Sequence, residues 1–258
     1  MKHLVFAAVV SAFAIVPACA KTLRIATSAD YPPWESVNSG GDIIGFDLDI
    51  GNAVCKKIKV ECEWTNQAYD GLLPALVAGQ YDMIISAISI TEDRKKNIDF
   101  SAPYAQAPAS FGTTGDNFSG IEDKAALDAA LAGKNVGVQG SSIFEGVVAE
   151  NFKSANAKIY QQADQIIADL QTGRIDAAVM EVSAWEEYGS NHKEANLTMF
   201  GPLLTYADYP QLGDGIGFGI AKGNTDLKEK VDAAVAELLK DGTIAKSSQK
   251  WFGYDVSP

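Results

Sequence analysis

"LVAGQYDMIIS", residues 76–86, decides the fold. Leu76 to Ala78 close a helical pattern, Gly79 caps it, Asp82 stands in the turn, and Met83 to Ile85 form a strand apolar on both faces. "LQTGRIDAAVM", residues 170–180, repeats the arrangement, with Gly173 and Asp176 at the matching places. Any helix-to-strand unit can end this way, and one pair leaves that explanation open. The sharper reading is two similar lobes, each feeding the end of a strand into a shared cleft. Ligands of open α/β sheets bind beyond the carboxyl ends of strands. Residues 86–94 and 180–181 are therefore site candidates together.

Outward from this pair, strand and helix patterns alternate. Leu23 to Ala26 reads as a strand, and Phe46 to Ile58 as a helix with Phe46, Ile50, Ala53, Val54 and Ile58 along one face. Strands are expected at 60–64, 82–85, 135–138 and 177–180, and a helix at 71–78. The alternation predicts an α/β fold with largely parallel sheets. Residues 101–117, carrying Pro103, Pro108, Gly112 and Gly115, read as a crossing between lobes. A second break falls near 212–217, and a helix over about 224–239 returns to the first lobe.

The chain has 258 residues, 47% hydrophobic and 21% charged, a composition suited to a soluble globular protein of one large or two modest domains. Lys2 and His3, the apolar run Leu4 to Val16 and Ala18-Cys19-Ala20 read as a secretory signal peptide, residues 1–20, cleaved after Ala20. Cys19 also fits a weak lipoprotein signal, which is disfavoured because Lys21 leads straight into the first strand without a tether. Cys55 and Cys62 then remain, and an even pair in an exported chain suggests a local disulfide rather than two free buried thiols. With only His192 left after cleavage and no Cys-x-x-Cys, no metal site and no cofactor are expected. A formal charge of −12 argues against nucleic acid and anionic membrane surfaces as partners.

"ISAISITEDRKK", residues 85–96, ends an apolar run in Ser86, Ser89 and Thr91, with Arg94 close behind. Hydroxyls, backbone N–H groups at a helix start near Glu92 and a planar guanidinium together suit one carboxylate. For Lys95 and Lys96 a solvated charged turn suffices; the hydroxyls upstream favour a binding role for Arg94. Tyr31 and Trp34 flank two prolines on the same sheet edge, Tyr31 as a stacking ring and Trp34 mainly as core. Tyr69 is placed to cover the other side. "GVQGSS", residues 137–142, offers Ser141 and Ser142 at a helix start in the second lobe. Glu181 ends its strand as an acid able to hold a cation, or as an ordinary helix-start glutamate.

"YPPWES", "GFDLDIGNAVCKKI", "YDGLLPALVAGQYDMIISAISITEDRKKNIDFSAPY", "NVGVQGSS", "GRIDAAVME" and "DGTIAKSSQKWFGYDV" follow in order over nearly the whole mature chain. In them the chain resembles the polar amino-acid branch of the periplasmic solute-binding proteins, soluble receptors of ABC importers. The resemblance implies a two-lobed, type II binding-protein fold, α/β in each lobe, with a two-strand hinge. Lobe 1 would comprise 21–104 and 217–258, lobe 2 109–211, and the hinge 105–108 and 212–216. It also implies a Cys55–Cys62 disulfide, as in the basic-amino-acid subgroup.

Carried over residue by residue, Arg94 matches the arginine that holds the ligand α-carboxylate. Ser89 and the backbone at Ala87 match its hydrogen-bonding strip, and Ser142 the second-lobe hydroxyl. Tyr31 and Tyr69 match the aromatic pair around the ligand side chain. Glu181 stands where the family usually has an aspartate for the α-ammonium. Ser28 departs from the pattern, because members that bind basic amino acids place a carboxylate there; Asp30, Glu35 and Glu145 are the acids left to replace it. The implied function is lobe closure on a polar amino acid, basic or opine-like before glutamine-like. The implied partner is a membrane permease and the setting the periplasm, with the receptor itself a monomer and not an enzyme. The alternatives are a cyclohexadienyl-type dehydratase with Glu181 as general acid, and a receptor that signals through a membrane partner.

Overall fold

A computed structural model of the protein describes residues 22–258; the signal segment, its cleavage site and Cys19 lie outside the described residues. The first of two five-stranded sheets joins β1 (Thr22–Thr27), β5 (Glu61–Asn66), β6 (Met83–Ile84), β7 (Ile98–Phe100) and β13 (Gly219–Ala221) in the order β5-β1-β6-β13-β7. The second joins β8 (Ala109–Thr114), β9 (Asn135–Gln139), β10 (Asn156–Tyr160), β11 (Ala177–Glu181) and β12 (Leu197–Leu204) in the order β10-β9-β11-β8-β12. A small antiparallel sheet of β2 (Asp30–Tyr31), β3 (Glu35–Val37) and β4 (Ile43–Ile44) leans from the first lobe towards the second.

In each large sheet four of the five strands point the same way, and the opposing one, β13 or β8, is the strand the chain enters after changing lobes. The internal repeat is therefore built into the topology. Asp82 accepts from the Arg24 N–H at 2.9 Å and donates its own N–H to the Arg24 carbonyl. Asp176 does the same to Asn135, at 2.8 Å in both directions. Each turn aspartate thus pins its central strand, β6 or β11, beside the strand before it.

Side-chain alternation along β1 sends Leu23 and Ile25 into one apolar cluster and Ala26 into the cluster on the opposite face. Helices α1 (Phe46–Ile58), α8 (Thr225–Lys240) and α9 (Thr243–Trp251) cover the first of these faces, and α2 (Tyr69–Val77) the second. In the second lobe α4 (Lys124–Leu131) and α5 (Ile143–Asn151) supply Leu127, Leu131, Phe144 and Val147 to one face. On the other, α6 (Ala163–Gln171) and α7 (Val182–Asn191) place Ile166, Trp185 and Tyr188 in a cluster that runs on into Tyr31 and Trp34 of the first lobe. The lobes are closed on one another.

One structural reading is corrected. The crossing drawn over 101–117 is shorter, because Ala109–Thr114 is a buried strand; its Gly112 passes so close to Trp185 that a β-carbon would lie 2.6 Å from the ring. The helix at Glu92 is a single turn, α3 (Glu92–Lys95), with Thr91 as its N-cap. So short a turn carries little macrodipole, since aligned peptide dipoles sum with length. The two connections do run side by side: Ala105 and Ser89 each bridge to Ile216, and Ile90 exchanges hydrogen bonds with Asp214 and Gly215. The cysteines at 55 and 62 form a disulfide with Cα atoms 6.0 Å apart, tying the end of α1 to β5.

Candidate ligand-binding cleft

Strands β1, β6, β9 and β11 end at the boundary between the lobes, so the residues that follow them converge there. A cavity of about 20 Å³ lies between Tyr31, Glu35, Tyr69, Ser86, Ala87 and Ser89 on one side and Gln139, Ser142, Phe144, Ile166, Met180 and Glu181 on the other. It adjoins a wider chamber of about 610 Å³ along the interlobe connections, and Ser89, Ile143, Phe144 and Glu181 line both. The smaller cavity holds the convergent charged and aromatic groups and is the candidate site.

Arg94 is only 8% exposed. Its guanidinium donates to the Ser89 carbonyl at 3.1 Å, to the Tyr69 hydroxyl at 3.2 Å and, across the cleft, to the Ser141 carbonyl at 3.1 Å. Ser141 sits at φ 62, a left-handed conformation that points this carbonyl outward. Opposite stands Glu181, 6% exposed, whose Oε2 accepts from the Tyr31 hydroxyl while its backbone N–H donates to the same oxygen of Tyr31 at 3.2 Å. Burial pushes the Glu181 carboxyl up to about 7, against the opposing pull of the Tyr31 hydrogen bond and the Arg94 charge. The same burial, together with the Glu181 charge, drives the Tyr31 hydroxyl well above its usual range.

Not every sequence candidate faces the cavity with a free group. Ser86 lines it, but its hydroxyl donates to Glu35 Oε1 at 2.9 Å and accepts from the Ser28 N–H at 3.0 Å. The Ala87 N–H is held by Asp47 Oδ2 at 2.7 Å. Thr91 caps α3 by accepting from the Arg94 N–H, which leaves its hydroxyl turned back on its own chain. The Ser142 hydroxyl lies at the cavity wall and donates to the Gln139 carbonyl at 2.7 Å. Trp34 is fully buried, as expected of core, yet its Nε1 reaches Ser183 of the other lobe at 3.0 Å.

Of the acids considered in place of Ser28, Asp30 accepts from the Ser28 hydroxyl and reaches Gln139 Nε2 at 3.3 Å and the Ala163 N–H, at the start of α6, at 3.4 Å. It ties the lobes together, and burial raises its carboxyl to about 6. Glu145 accepts from the Ser141 N–H at 2.9 Å and is not on the cavity wall. Glu35 is on that wall: it is 1% exposed, accepts from Ser86 and is hydrogen-bonded to the neighbouring Asp47 carboxyl.

Beside Glu35 lies Asp47, a residue the sequence reading missed. It is completely buried and accepts from the Ala87 N–H and from the Tyr104 hydroxyl, each at 2.7 Å. Desolvation and the neighbouring Asp47 charge push the Glu35 carboxyl well up, while Asp47, better supplied with donors, is raised only to about 6. One signal was available. Asp47 falls at helical spacing with Ile50 and Val54 on the apolar face of α1, where an acid has no reason to sit unless something buried needs it.

Known proteins are similar to this chain over nearly its whole length. ABC transporter arginine-binding protein 1 of Escherichia coli is 30% identical over 252 residues, which cover 98% of this chain and 99% of the relative. An ancestral arginine-binding protein bound to arginine superposes with a TM-score of 0.82 at 34% identity, over 92% of this chain and all of the other. An ancestral arginine-binding protein bound to glutamine gives 0.80 at 33% identity, over 90% and 98% of the two chains. Residues 23–254 match the family as a whole, and the chain belongs to the bacterial extracellular solute-binding proteins, family 3.

Proposed function

We propose that this protein is the extracytoplasmic solute-binding receptor of an ABC importer and closes its lobes on a basic amino acid of the arginine type. The observation that carries the reading is buried charge of opposite sign from the two lobes about one cleft. Glu181 of the second lobe lies on the cavity wall beside Tyr31, and Arg94 of the first lobe lies directly behind that wall, bonded to two residues that form it or border it, Tyr69 and Ser89. A zwitterion matches that pair: its α-carboxylate takes the Arg94 fork, and its α-ammonium takes Glu181. Ser89 and Ser142 border the carboxylate, and the rings of Tyr31 and Tyr69 flank the side chain. Glu35, the acid on the cavity wall whose partners come from its own lobe, is the group for the side-chain cation, the part that Asp30 does not fill because it is engaged across the lobes.

Closure supplies the mechanism. A ligand shifts the equilibrium only by its differential affinity for the closed state, and a molecule bridging Arg94 and Glu181 binds tightly only when both lobes reach it. The relatives named above support the ligand class. Processing after Ala20, a periplasmic setting, a monomeric receptor and a membrane permease as partner complete the proposal.

The test is a thermal-shift screen of the mature protein against the common amino acids and opines, followed by calorimetry. L-Arginine or another basic amino acid is expected to raise the melting temperature most. A screen in which no amino acid or derivative shifts it would overturn the reading.

A further inference from the structure

Glu35 and Asp47 form a buried acid pair at the cavity wall, and the clamp for the α-groups does not use it. Asp47 is already served by the Ala87 N–H and the Tyr104 hydroxyl. Glu35 accepts from the Ser86 hydroxyl on Oε1, and its second hydrogen bond is to Asp47 itself, which needs a proton on one of the two carboxyls. Two carboxylates this close in a dry site do not both stay ionised, since burial and mutual repulsion each favour keeping one proton. The groups packed around Glu35 reinforce this. Asp47 comes from α1 and Asp30 from β2, and both repel an ionised Glu35. Tyr69 on α2, Tyr104 after β7 and Tyr188 on α7 also lie within its electrostatic reach and are neutral hydroxyls.

Resting on the proposed reading of the α-group clamp, we infer that the Glu35–Asp47 pair holds one exchangeable proton, so that the same cavity takes two classes of amino acid. One class ends in a cation, the other in a neutral carbonyl acceptor. With a guanidinium or ammonium at the wall, the Glu35 O–H bond breaks, its proton leaves to solvent, and the resulting carboxylate pairs with the cation. With a urea or amide carbonyl, the O–H bond is kept and its hydrogen bond turns from Asp47 to the ligand oxygen, leaving Asp47 with the Ala87 N–H and the Tyr104 hydroxyl as donors. Proton activity therefore selects between the classes.

L-Arginine and L-citrulline test this, because they differ only in guanidinium against urea. Both engage Glu181 alike, so its own titration near 7 cancels in their ratio of affinities. Calorimetry between about pH 5 and 8 is expected to show the arginine-to-citrulline ratio rising by about tenfold per pH unit while Glu35 holds its proton. In buffers of different ionisation enthalpy, arginine should release about one proton more than citrulline. In Glu35→Gln the ratio should stop depending on pH; the wild-type series alone decides the matter if that variant folds poorly. A pH-independent ratio with equal proton counts in the wild type overturns the inference and leaves the clamp standing. Binding of neither ligand at any pH removes the parent reading and the inference with it.

Discussion

At the scale of single residues, a charged side chain beside an apolar run marks the candidate site in the sequence. Arg94 stands out because three hydroxyl residues precede it, and the folded chain buries its guanidinium against carbonyls and a phenol. Truncation to Arg94→Ala is expected to weaken arginine binding by roughly 3–5 kcal/mol, the usual loss when one partner of a desolvated charge pair is removed. Calorimetry checks it, and near-normal affinity would count against the clamp. Glu181 carries a pH signature. Its carboxyl lies at about 7 in the fold against 4.5 for an ordinary glutamate, so folding keeps it protonated. That contribution to stability is complete below about 4.5 and is lost as pH rises through about 7, on the order of 3 kcal/mol in all. Thermal melts of the ligand-free protein should show a decline, to which the raised Asp30, Glu35 and Asp47 also contribute, and Glu181→Gln should make it shallower. Asp47 left a trace as an acid on the apolar face of α1, but its partners and the engagement of Ser86 and Ala87 were not legible, because they depend on atoms brought together across the chain rather than along it.

At the scale of elements, helix and strand periodicity placed α1 at Phe46–Ile58 as the spacing predicted, and β9 and β11 within a residue. The helix start near Glu92 is where the sequence put it, and it stays one turn long because residues 92–96 carry charges but no apolar stripe to extend it. The strand β8 was missed: apart from Phe111, residues 109–114 are small or glycine, yet they are buried between two strands, a tertiary decision. The Cys55–Cys62 link closes a short loop, so its loss should cost only about 2–3 kcal/mol by chain entropy. The double serine variant should melt earlier yet bind arginine normally, since the bond lies away from the cavity. Gly213 is less forgiving. At φ 79, with a β-carbon position 2.4 Å from the Ile90 carbonyl oxygen, Gly213→Ala must distort the second interlobe connection. A loss of about 1–3 kcal/mol is expected in denaturant titration, and an unchanged midpoint would show that the connection yields more easily than its contacts suggest.

At the scale of the whole molecule, closure governs binding. A cavity of about 20 Å³ is smaller than any amino acid, so ligand entry requires the lobes to part. The ties that must break lie mostly on one segment, residues 30–34: Asp30 to Gln139 and Ala163, Tyr31 to Glu181, and Trp34 to Ser183. Asp30→Ala should therefore weaken every ligand by a similar factor, of about 1 kcal/mol for hydrogen bonds of this length, without changing their order. Small-angle scattering should find the ligand-free variant more open than wild type; a selective loss of one ligand would instead place Asp30 in the binding site. The sequence by itself determined the α/β architecture, the repeated helix–turn–strand unit and the residues at strand ends, because periodicity, caps and turn chemistry act over a few neighbouring positions. Only the tertiary structure decided which acid lines the cavity and which ties the lobes. Ser28, Asp30, Glu35 and Asp47 lie within twenty residues of one another, but their roles depend on which donors the other strands and the opposite lobe bring to each.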